Sequence, residues 1–348
     1  MNKNTTRRNF LKKSILTSGL ATVGTYGFAN NLSSPEAVKN KLPREVWIAG
    51  ISQMDLYTKT SKLMIEEVIS IIREVVVYKP DIICLPEVFA TSNIEQKLKL
   101  PEKLQVSEEA LKQFSDLAKQ YNCYIICSVY TSEKGKVYNS AVVFDRKGVS
   151  LGEYRKIHLT EGEIRNGLTP GPLDPPVFQT DFGKIGIQIC FDMLWDDGWK
   201  KLKEQGAEIV FWPSAYAGGV MVNTKARQHK YIVATSTRKN TAKISDYTGE
   251  VIAETGIWDK NFYCAPVNME RALLHTWPFV NHFDKIREKY GRKVKITTFH
   301  EEEWSVIESL SSDILVSDIL EEFNLKTFEQ HVLESEIAQN KSRRESKN

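Results

Sequence analysis

A regular alternation of helix-like and strand-like hydrophobic patterns, from about residue 44 to residue 270, constrains the fold of this chain more than any other feature. Apolar residues recur every three or four positions in the segment 65–76, which predicts a helix that buries one face. The segment 82–85 is continuously apolar and the segment 185–189 alternates, so both predict strands. Helices that cover layers of sheet are the expected architecture, an α/β fold.

The same helix–strand unit recurs after residue 100. Ser107 is a plausible N-cap for a second amphipathic helix, which leads into an apolar strand at residues 123–130. Segments 138–144 and 151–154 predict a pair of strands joined by a turn that contains glycine.

Three chemically useful side chains lie at or just after predicted strand ends. Glu87 follows a buried strand and a proline, Lys156 follows a short strand, and Cys190 ends the most regular strand of the chain. Taken singly, a cysteine is more often a small buried apolar residue, and a glutamate or lysine is more often solvated or ion-paired. Their convergence at strand ends, where open sheets carry function, is what favours an active site.

The residues around these positions match a known pattern. The runs from Leu85 to Phe89, Tyr154 to Leu159, and Gly186 to Asp192 resemble, in order and spacing, the three catalytic motifs of the nitrilase superfamily. The run from Gly206 to Ala215 resembles the stretch that follows the catalytic cysteine in that family. The resemblance covers roughly residues 44–270 and implies a four-layer α-β-β-α sandwich.

This resemblance implies a thiol hydrolase that needs neither a metal nor a cofactor. Cys190 would attack an amide, carbamoyl or nitrile carbon after Glu87 takes its proton, since a free thiol is only slightly ionised at neutral pH. Lys156, together with the Phe191 backbone N–H, would stabilise the oxyanion. Glu87 would then protonate the departing amine and activate water.

Further site residues follow less directly from the motifs. A second glutamate orients the lysine in many family members; Glu163 fits this role best and Glu161 is the alternative. The sequence after the cysteine departs from the common family pattern, so the substrate-binding wall differs. We expect Phe191, Trp195 and Tyr216 to form that wall, although buried aromatic residues are more often simple core.

Other functions would use some of the same residues. A papain-like reading based on His158 lacks the flanking sequences of that family, and Cys123 and Cys127 lack the second pair that zinc requires. An acyltransferase that uses the same thioester, or an inactive binding protein on the same fold, remain the alternatives. Nitriles are the least expected substrates, because Phe191 stands where nitrilases proper usually have tryptophan.

The first 29 residues have the composition of an export signal. The run from Thr6 to Lys12 resembles the twin-arginine motif and precedes a charge-free apolar stretch that ends near Ala29. A basic arm or a membrane anchor is the alternative, but about 15 weakly apolar residues are short for a permanent span. The sequence therefore predicts a protein exported by the twin-arginine machinery to a periplasmic or other extracytoplasmic location.

The charge balance excludes one class of partner. Residues 1–29 contain five of the 47 basic residues and no acidic one, so the remainder has 42 basic against 44 acidic residues. A net charge of about −2 without a basic cluster argues against nucleic-acid binding. The five cysteines are few and odd in number, which argues against a disulfide framework.

The chain beyond residue 270 is more polar, which indicates a C-terminal extension of the domain. Residues 271–334 predict helices at 284–290, 312–323 and 327–337, packed on the domain or on a partner subunit. The charged residues 335–348 predict a disordered tail. Because family members usually pair through an outer helical layer, the resemblance implies a homodimer or higher homo-oligomer.

Overall fold

The computed structural model describes Leu42, residues 44–256 and residues 260–346. The predicted export signal at residues 1–29 lies outside the described residues. Within these ranges, no helix is long and apolar enough to cross a membrane.

Two six-stranded sheets form the centre of the fold. In spatial order, the strands of the first sheet are β12 (Phe262–Asn268), β1 (Glu45–Ile51), β2 (Ile82–Cys84), β3 (Tyr124–Glu133), β4 (Lys136–Phe144) and β5 (Ser150–Arg155). The strands of the second sheet are β11 (Val251–Glu254), β10 (Lys243–Ser245), β9 (Ile232–Thr237), β8 (Ile209–Ser214), β7 (Gly183–Ile187) and β6 (Phe178–Thr180).

The strand directions bring several carboxyl ends to one edge of each sheet. Strands β1, β2 and β3 are parallel, and β5 runs in the same direction because β4 is antiparallel to both β3 and β5. In the second sheet, β7, β8 and β9 are parallel. Reactive side chains that follow these strands can therefore converge where the two sheets face each other.

Helices cover the outer face of each sheet. On the first sheet these are α1 (Ser61–Val75) and α2 (Leu100–Tyr121), and on the second α4 (Asp197–Glu204) and α5 (Val220–His229). A short helix, α3 (Glu161–Arg165), follows β5. Apolar side chains of both sheets, such as Ile48, Ile126, Ile187 and Phe211, fill the layer between them. The arrangement is the four-layer α-β-β-α sandwich that the sequence predicted.

Helix α2 begins earlier than the sequence predicted. It starts at Leu100, where the Glu102 carboxylate accepts a hydrogen bond from the Lys99 backbone N–H and Pro101 occupies the first turn. Ser107 is therefore not the N-cap but lies inside the helix. Its hydroxyl donates to the Lys103 carbonyl (2.7 Å) and accepts from the Tyr130 N–H (3.1 Å).

The C-terminal residues form a small sheet, where the sequence pattern predicted only helices. Strands β13 (Arg271–His275), β15 (Trp304–Ser309) and β14 (Val294–Phe299) pair in that order. Helices α6 (Phe283–Tyr290) and α7 (Val316–Glu322) pack on it around a separate apolar core. Helices α6 and α7 lie at the first two predicted helices of the extension, 284–290 and 312–323, with different bounds.

The last helix coincides with the third predicted helix, 327–337, and extends beyond it into the segment that was predicted to be disordered. Helix α8 (Phe328–Glu345) continues through most of the segment 335–348. Its start is defined by a capping box in which the Thr327 hydroxyl accepts from the Gln330 N–H, and the Gln330 side chain accepts from the Thr327 N–H. None of its side chains is fully buried, but its first turn contacts the C-terminal sheet: Phe328 lies 5.6 Å from Trp304, and His331 stacks on His275 at 5.1 Å, both measured between ring centroids.

Candidate active site

The three side chains singled out at strand ends come together in the structure. Glu87 lies three residues beyond β2, Lys156 lies directly after β5, and Cys190 opens a short helical turn beyond β7. Cys190 has a positive φ of 46°, a left-handed conformation that costs energy for a residue with a Cβ atom. A strained backbone conformation persists only where the surrounding structure enforces it, and such residues cluster at functional sites.

Lys156 is buried between two carboxylates. Its Nζ lies 3.0 Å from Oε1 of Glu87, and 2.9 Å from each oxygen of Glu163. The lysine side chain is only 1% exposed, so its charge depends on these partners. Burial lowers the pKa of Lys156, but the neighbouring negative charges outweigh burial and the pKa lies above its ordinary value. Lys156 is therefore an ammonium group at neutral pH.

A local capping motif orients Glu163. It is the third residue of α3, and its Oε2 accepts hydrogen bonds from the backbone N–H (2.8 Å) and hydroxyl (3.0 Å) of Thr160. The Thr160 hydroxyl in turn accepts from the Glu163 N–H. The rival candidate, Glu161, has a side chain that is 90% exposed and pairs with Arg165. The structure thus brings Glu163, and not Glu161, to the lysine.

Glu87 is held by donors on both carboxylate oxygens. Its Oε1 accepts from Lys156 and from Nδ2 of Asn139 (2.9 Å), and its Oε2 accepts from Nη2 of Arg238 (3.2 Å). Burial raises the pKa of Glu87, but the two cations and these hydrogen bonds outweigh burial, so the net pKa is lowered. Glu87 is therefore an ionised carboxylate in a buried position.

Cys190 is a protonated thiol in the same cluster. It is 8% exposed, and burial followed by the charge of Glu87 raises its pKa to about 12. Lys156 and hydrogen bonds involving the Ala215 backbone and the Ser214 side chain act in the opposite direction. A thiol with this pKa becomes a nucleophile only when a neighbouring base takes its proton.

Asp192 fixes the turn that carries Cys190. Its carboxylate is fully buried and accepts from the Tyr154 hydroxyl (2.7 Å), the Ile189 N–H (2.9 Å) and the His158 N–H (2.7 Å). These bonds join the segment that bears Lys156 to the turn that bears Cys190. The relative position of the two functional groups is thereby set by a buried, satisfied carboxylate.

Aromatic rings lie around the cysteine. Trp195 is 40% exposed and stacks on His158, and the Phe191 ring meets the Trp195 indole edge to face at 5.1 Å. The charges of Cys190, Lys156 and Glu87 all act on the pKa of the Tyr216 hydroxyl, which burial raises to about 12. All three predicted wall residues thus lie beside or near the cysteine turn.

Two polar residues of the cluster were not predicted from sequence. Asn139 lies near the start of β4, and its Nδ2 donates to both Glu87 and Glu163 at 2.9 Å. Arg238 directly follows β9. In the sequence, a polar residue within an alternating strand and a basic residue in a polar run both read as solvent-facing. The one feature of the sequence that could have indicated a role in the site is the position of Arg238 directly after a predicted strand.

The two sheets of this four-layer sandwich bring a buried cysteine beside a carboxylate and an ammonium group. A family profile described as carbon-nitrogen hydrolase matches residues 48–279, about two thirds of the chain. The chain belongs to the carbon-nitrogen hydrolase family, also known as the nitrilase superfamily.

Curated relatives match parts of the chain. "Probable hydrolase YhcX" of Bacillus subtilis is 36% identical over 143 residues, which are 39% of this chain and 28% of that protein. Deaminated glutathione amidase of Synechocystis is 27% identical over 51% of this chain and 75% of that protein. N-carbamoylputrescine amidase of Solanum lycopersicum is 35% identical over 29% of this chain and 34% of that protein.

Solved structures share the fold. An amidase from Nesterenkonia superposes with a TM-score of 0.58 at 15% identity and covers 64% of this chain and 90% of its own. At this identity the likeness speaks for the fold alone.

Proposed function

We propose that the protein hydrolyses carbon–nitrogen bonds other than peptide bonds, in small amides or N-carbamoyl compounds, through a thioester on Cys190. The observation that carries this proposal is the buried hydrogen-bonded cluster of Glu87, Lys156 and Glu163 next to the Cys190 thiol. Such a cluster holds a base and a cation beside a nucleophile, which is what attack on a carbonyl carbon requires.

The first step couples proton transfer to attack. In the resting site Cys190 is a thiol and Glu87 is a carboxylate, as their shifted pKa values require. Glu87 accepts the thiol proton while the sulfur forms a bond to the carbonyl carbon, and the carbonyl π electrons move to oxygen. General-base help of this kind contributes roughly 10²–10⁴-fold to rate.

The resulting oxyanion needs a cation that is already in place. Lys156 supplies it, because the two glutamates hold its Nζ and solvent barely reaches the side chain. The Phe191 backbone N–H lies at the second residue of the turn Cys190–Leu194, one residue before the Asp192 N–H, which donates to the Ile189 carbonyl (3.0 Å). Each donor of this kind is worth about 2.7–4 kcal/mol in comparable sites.

The same carboxyl group completes the reaction. Protonated Glu87 gives its proton to the leaving nitrogen as the carbon–nitrogen bond breaks, which leaves a thioester and a free amine or ammonia. Glu87 then removes a proton from water, whose oxygen attacks the thioester carbon. Collapse of that second intermediate releases the acid and returns a proton to the Cys190 sulfur.

The substrate is proposed at the level of chemical class. Relatives include proteins named as amidases, one of them an N-carbamoyl amidase. The aromatic rings of Phe191, Trp195 and Tyr216 form a wall suited to an apolar or planar substituent next to the reacting group. Specificity within the class depends on loop shape rather than on the catalytic cluster.

The test is ammonia release by the purified full chain from primary amides, N-carbamoyl amino acids and nitriles, with Cys190→Ala as control. We expect release from at least one amide or N-carbamoyl compound by the wild type alone. Equal release by the variant would contradict the thiol mechanism. Adding hydroxylamine distinguishes hydrolysis from acyl transfer. Transfer of the acyl group to water gives the free acid, whereas transfer to hydroxylamine gives a hydroxamate, and hydroxamate as the main product would point to acyl transfer.

Two further proposals rest on sequence. Export by the twin-arginine machinery to an extracytoplasmic compartment is proposed from residues 1–29; replacing Arg7 and Arg8 with lysine should abolish export of a fused reporter. A homodimer or higher homo-oligomer is proposed from the family resemblance. Light scattering of the purified chain tests it, and a monomeric mass would contradict it.

A further inference from the structure

Arg238 connects the second sheet to the functional carboxylate of the first. It is the residue directly after β9, whereas Glu87 follows β2 in the other sheet. Its Nη2 lies 3.2 Å from Oε2 of Glu87, and the carboxylate is 3% exposed. The contact therefore spans the two layers that carry Glu87 and Cys190, at the edge where they face each other.

Both layers hold the arginine in place. Its backbone N–H donates to the Ser214 carbonyl (2.9 Å), and the Ser214 side chain hydrogen-bonds the Cys190 thiol. Its carbonyl accepts from Nδ2 of Asn93 (2.9 Å), and its Nη1 donates to the Ser92 hydroxyl (2.8 Å). Ser92 and Asn93 lie in the segment that follows Glu87. The guanidinium group is thus anchored beside the carboxylate.

Arg238 is a second cation in a cluster that contains two carboxylates. Glu87 and Glu163 are two carboxylates, and Lys156 supplies one positive charge to both. Arg238 brings the described cluster to two negative and two positive charges. Because an uncompensated buried charge is costly, Glu87 without Arg238 would gain a proton more readily.

We propose that Arg238 is a positioning residue that acts through Glu87: it holds Oε2 so that the carboxylate faces the Cys190 thiol and remains a base. The inference rests on the proposed thiol mechanism and adds a residue to it. Arg238 acts here on the base rather than on the substrate.

The experiment compares Arg238→Met and Arg238→Lys with wild type. For Arg238→Met we expect kcat to fall about 10–100-fold with KM nearly unchanged, since a general base is impaired. The acidic limb of the pH–kcat/KM profile should move up by about one unit or more, the scale on which a neighbouring charge shifts a carboxyl pKa. Arg238→Lys should return most of this shift. Arg287→Met, at an exposed arginine paired with Asp284, is the matched control.

A second readout needs no substrate. The rate of Cys190 alkylation by iodoacetamide depends on removal of the thiol proton, so its acidic limb should shift upwards in Arg238→Met as well. If wild type hydrolyses none of the compounds, the proposed function fails while the alkylation profile still tests the link between Arg238 and Glu87. Ser92→Ala, which removes one anchor of Arg238, should shift the same limb in the same direction by less, and serves if Arg238→Met does not fold.

Two outcomes would overturn the inference. A rise in KM with unchanged kcat and an unchanged acidic limb would mean that Arg238 binds the substrate. A loss of kcat with wild-type pH profiles in both assays would mean that it contributes only to structure.

Discussion

The indole ring of Trp195 lies parallel to the imidazole of His158, with 4.2 Å between the ring centroids and 1° between the planes. The loop that carries Trp195 is fastened to α5, because Lys225 donates to the Trp195 carbonyl (3.1 Å) and to the Asp196 carboxylate (2.7 Å). His229 also contacts that carboxylate at 2.9 Å. An exposed aromatic side chain is thus held rigidly beside the cysteine turn.

This rigidity predicts a role for Trp195 in substrate selection. In Trp195→Ala, we expect KM for amides with aromatic or branched substituents to rise about two- to twelvefold, because a ring contact of this kind is worth about 0.5–1.5 kcal/mol. The kcat should change little, since Trp195 holds no proton or charge. Steady-state kinetics on an amide series measures this, and Trp277→Ala, at an exposed tryptophan after β13, is the control. Equal KM values for all substituents would contradict the role.

The shifted pKa values predict the pH dependence of activity. Glu87 has a lowered pKa and must be ionised, so kcat/KM should fall only as the pH drops below its ordinary value of 4.5. The pKa of Cys190 is raised to about 12, so no alkaline limb from thiol ionisation is expected below that value. Rates measured across this range, with circular dichroism at each pH, check the prediction. An acidic limb near neutrality in folded protein would contradict it.

The sequence predicted the residues whose position follows from strand patterns. Glu87, Lys156 and Cys190 each follow a strand that the hydrophobic pattern predicts, and strands that run in the same direction bring such ends to one edge of a sheet. Glu163 was predicted through the family resemblance, and the capping box with Thr160 gives its physical reason. The positions of these residues can be predicted because they follow from local sequence patterns.

Asn139 and Arg238 depend instead on contacts between distant segments. Asn139 meets Glu87 across 52 residues, and Arg238 meets it across 151. No local period distinguishes such a residue from a solvated one. The C-terminal sheet was missed for a related reason. Its strands are short and partly polar, and they form a sheet only because β15 pairs with β13 on one side and with β14 on the other.

The buried ion cluster predicts a stability difference that depends on pH. Lys156→Met leaves Glu87 and Glu163 without their shared cation, and breaking a buried pair costs about 3–5 kcal/mol. The raised pKa of Lys156 means that its contribution is complete at neutral pH and is lost only as the pH rises above 10.5 through the folded-state value. The lowered pKa of Glu87 means that its contribution is lost as the pH falls from 4.5 through the folded-state value.

The difference in unfolding free energy between wild type and Lys156→Met should therefore be largest from about pH 6 to pH 9 and shrink in acid. Urea denaturation at pH 7 and at pH 4 measures it. Lys293→Met, which breaks an exposed pair with Asp313, should cost less than about 1 kcal/mol at either pH. A Lys156→Met variant as stable as wild type at pH 7 would show that the cluster costs as much as it contributes.

Asn139 predicts a graded series of variants. Its Nδ2 donates to Oε1 of both Glu87 and Glu163, so Asn139→Ala removes one donor from two carboxylates and should cost about 1–3 kcal/mol of stability. Asn139→Asp has nearly the same size but places a third carboxylate in the cluster. We expect it to lower kcat more than Asn139→Ala, because repulsion raises the pKa of Glu87. Asn268 pairs with Glu45 at the start of β1, whereas the cluster lies beyond the carboxyl ends of the strands. Asn268→Ala removes a hydrogen bond to the Ser309 carbonyl and should leave kcat unchanged. Steady-state kinetics at pH 7 and pH 5 measures kcat for both variants. If Asn139→Asp has the same kcat as Asn139→Ala, Asn139 only fills space and does not organise the carboxylates.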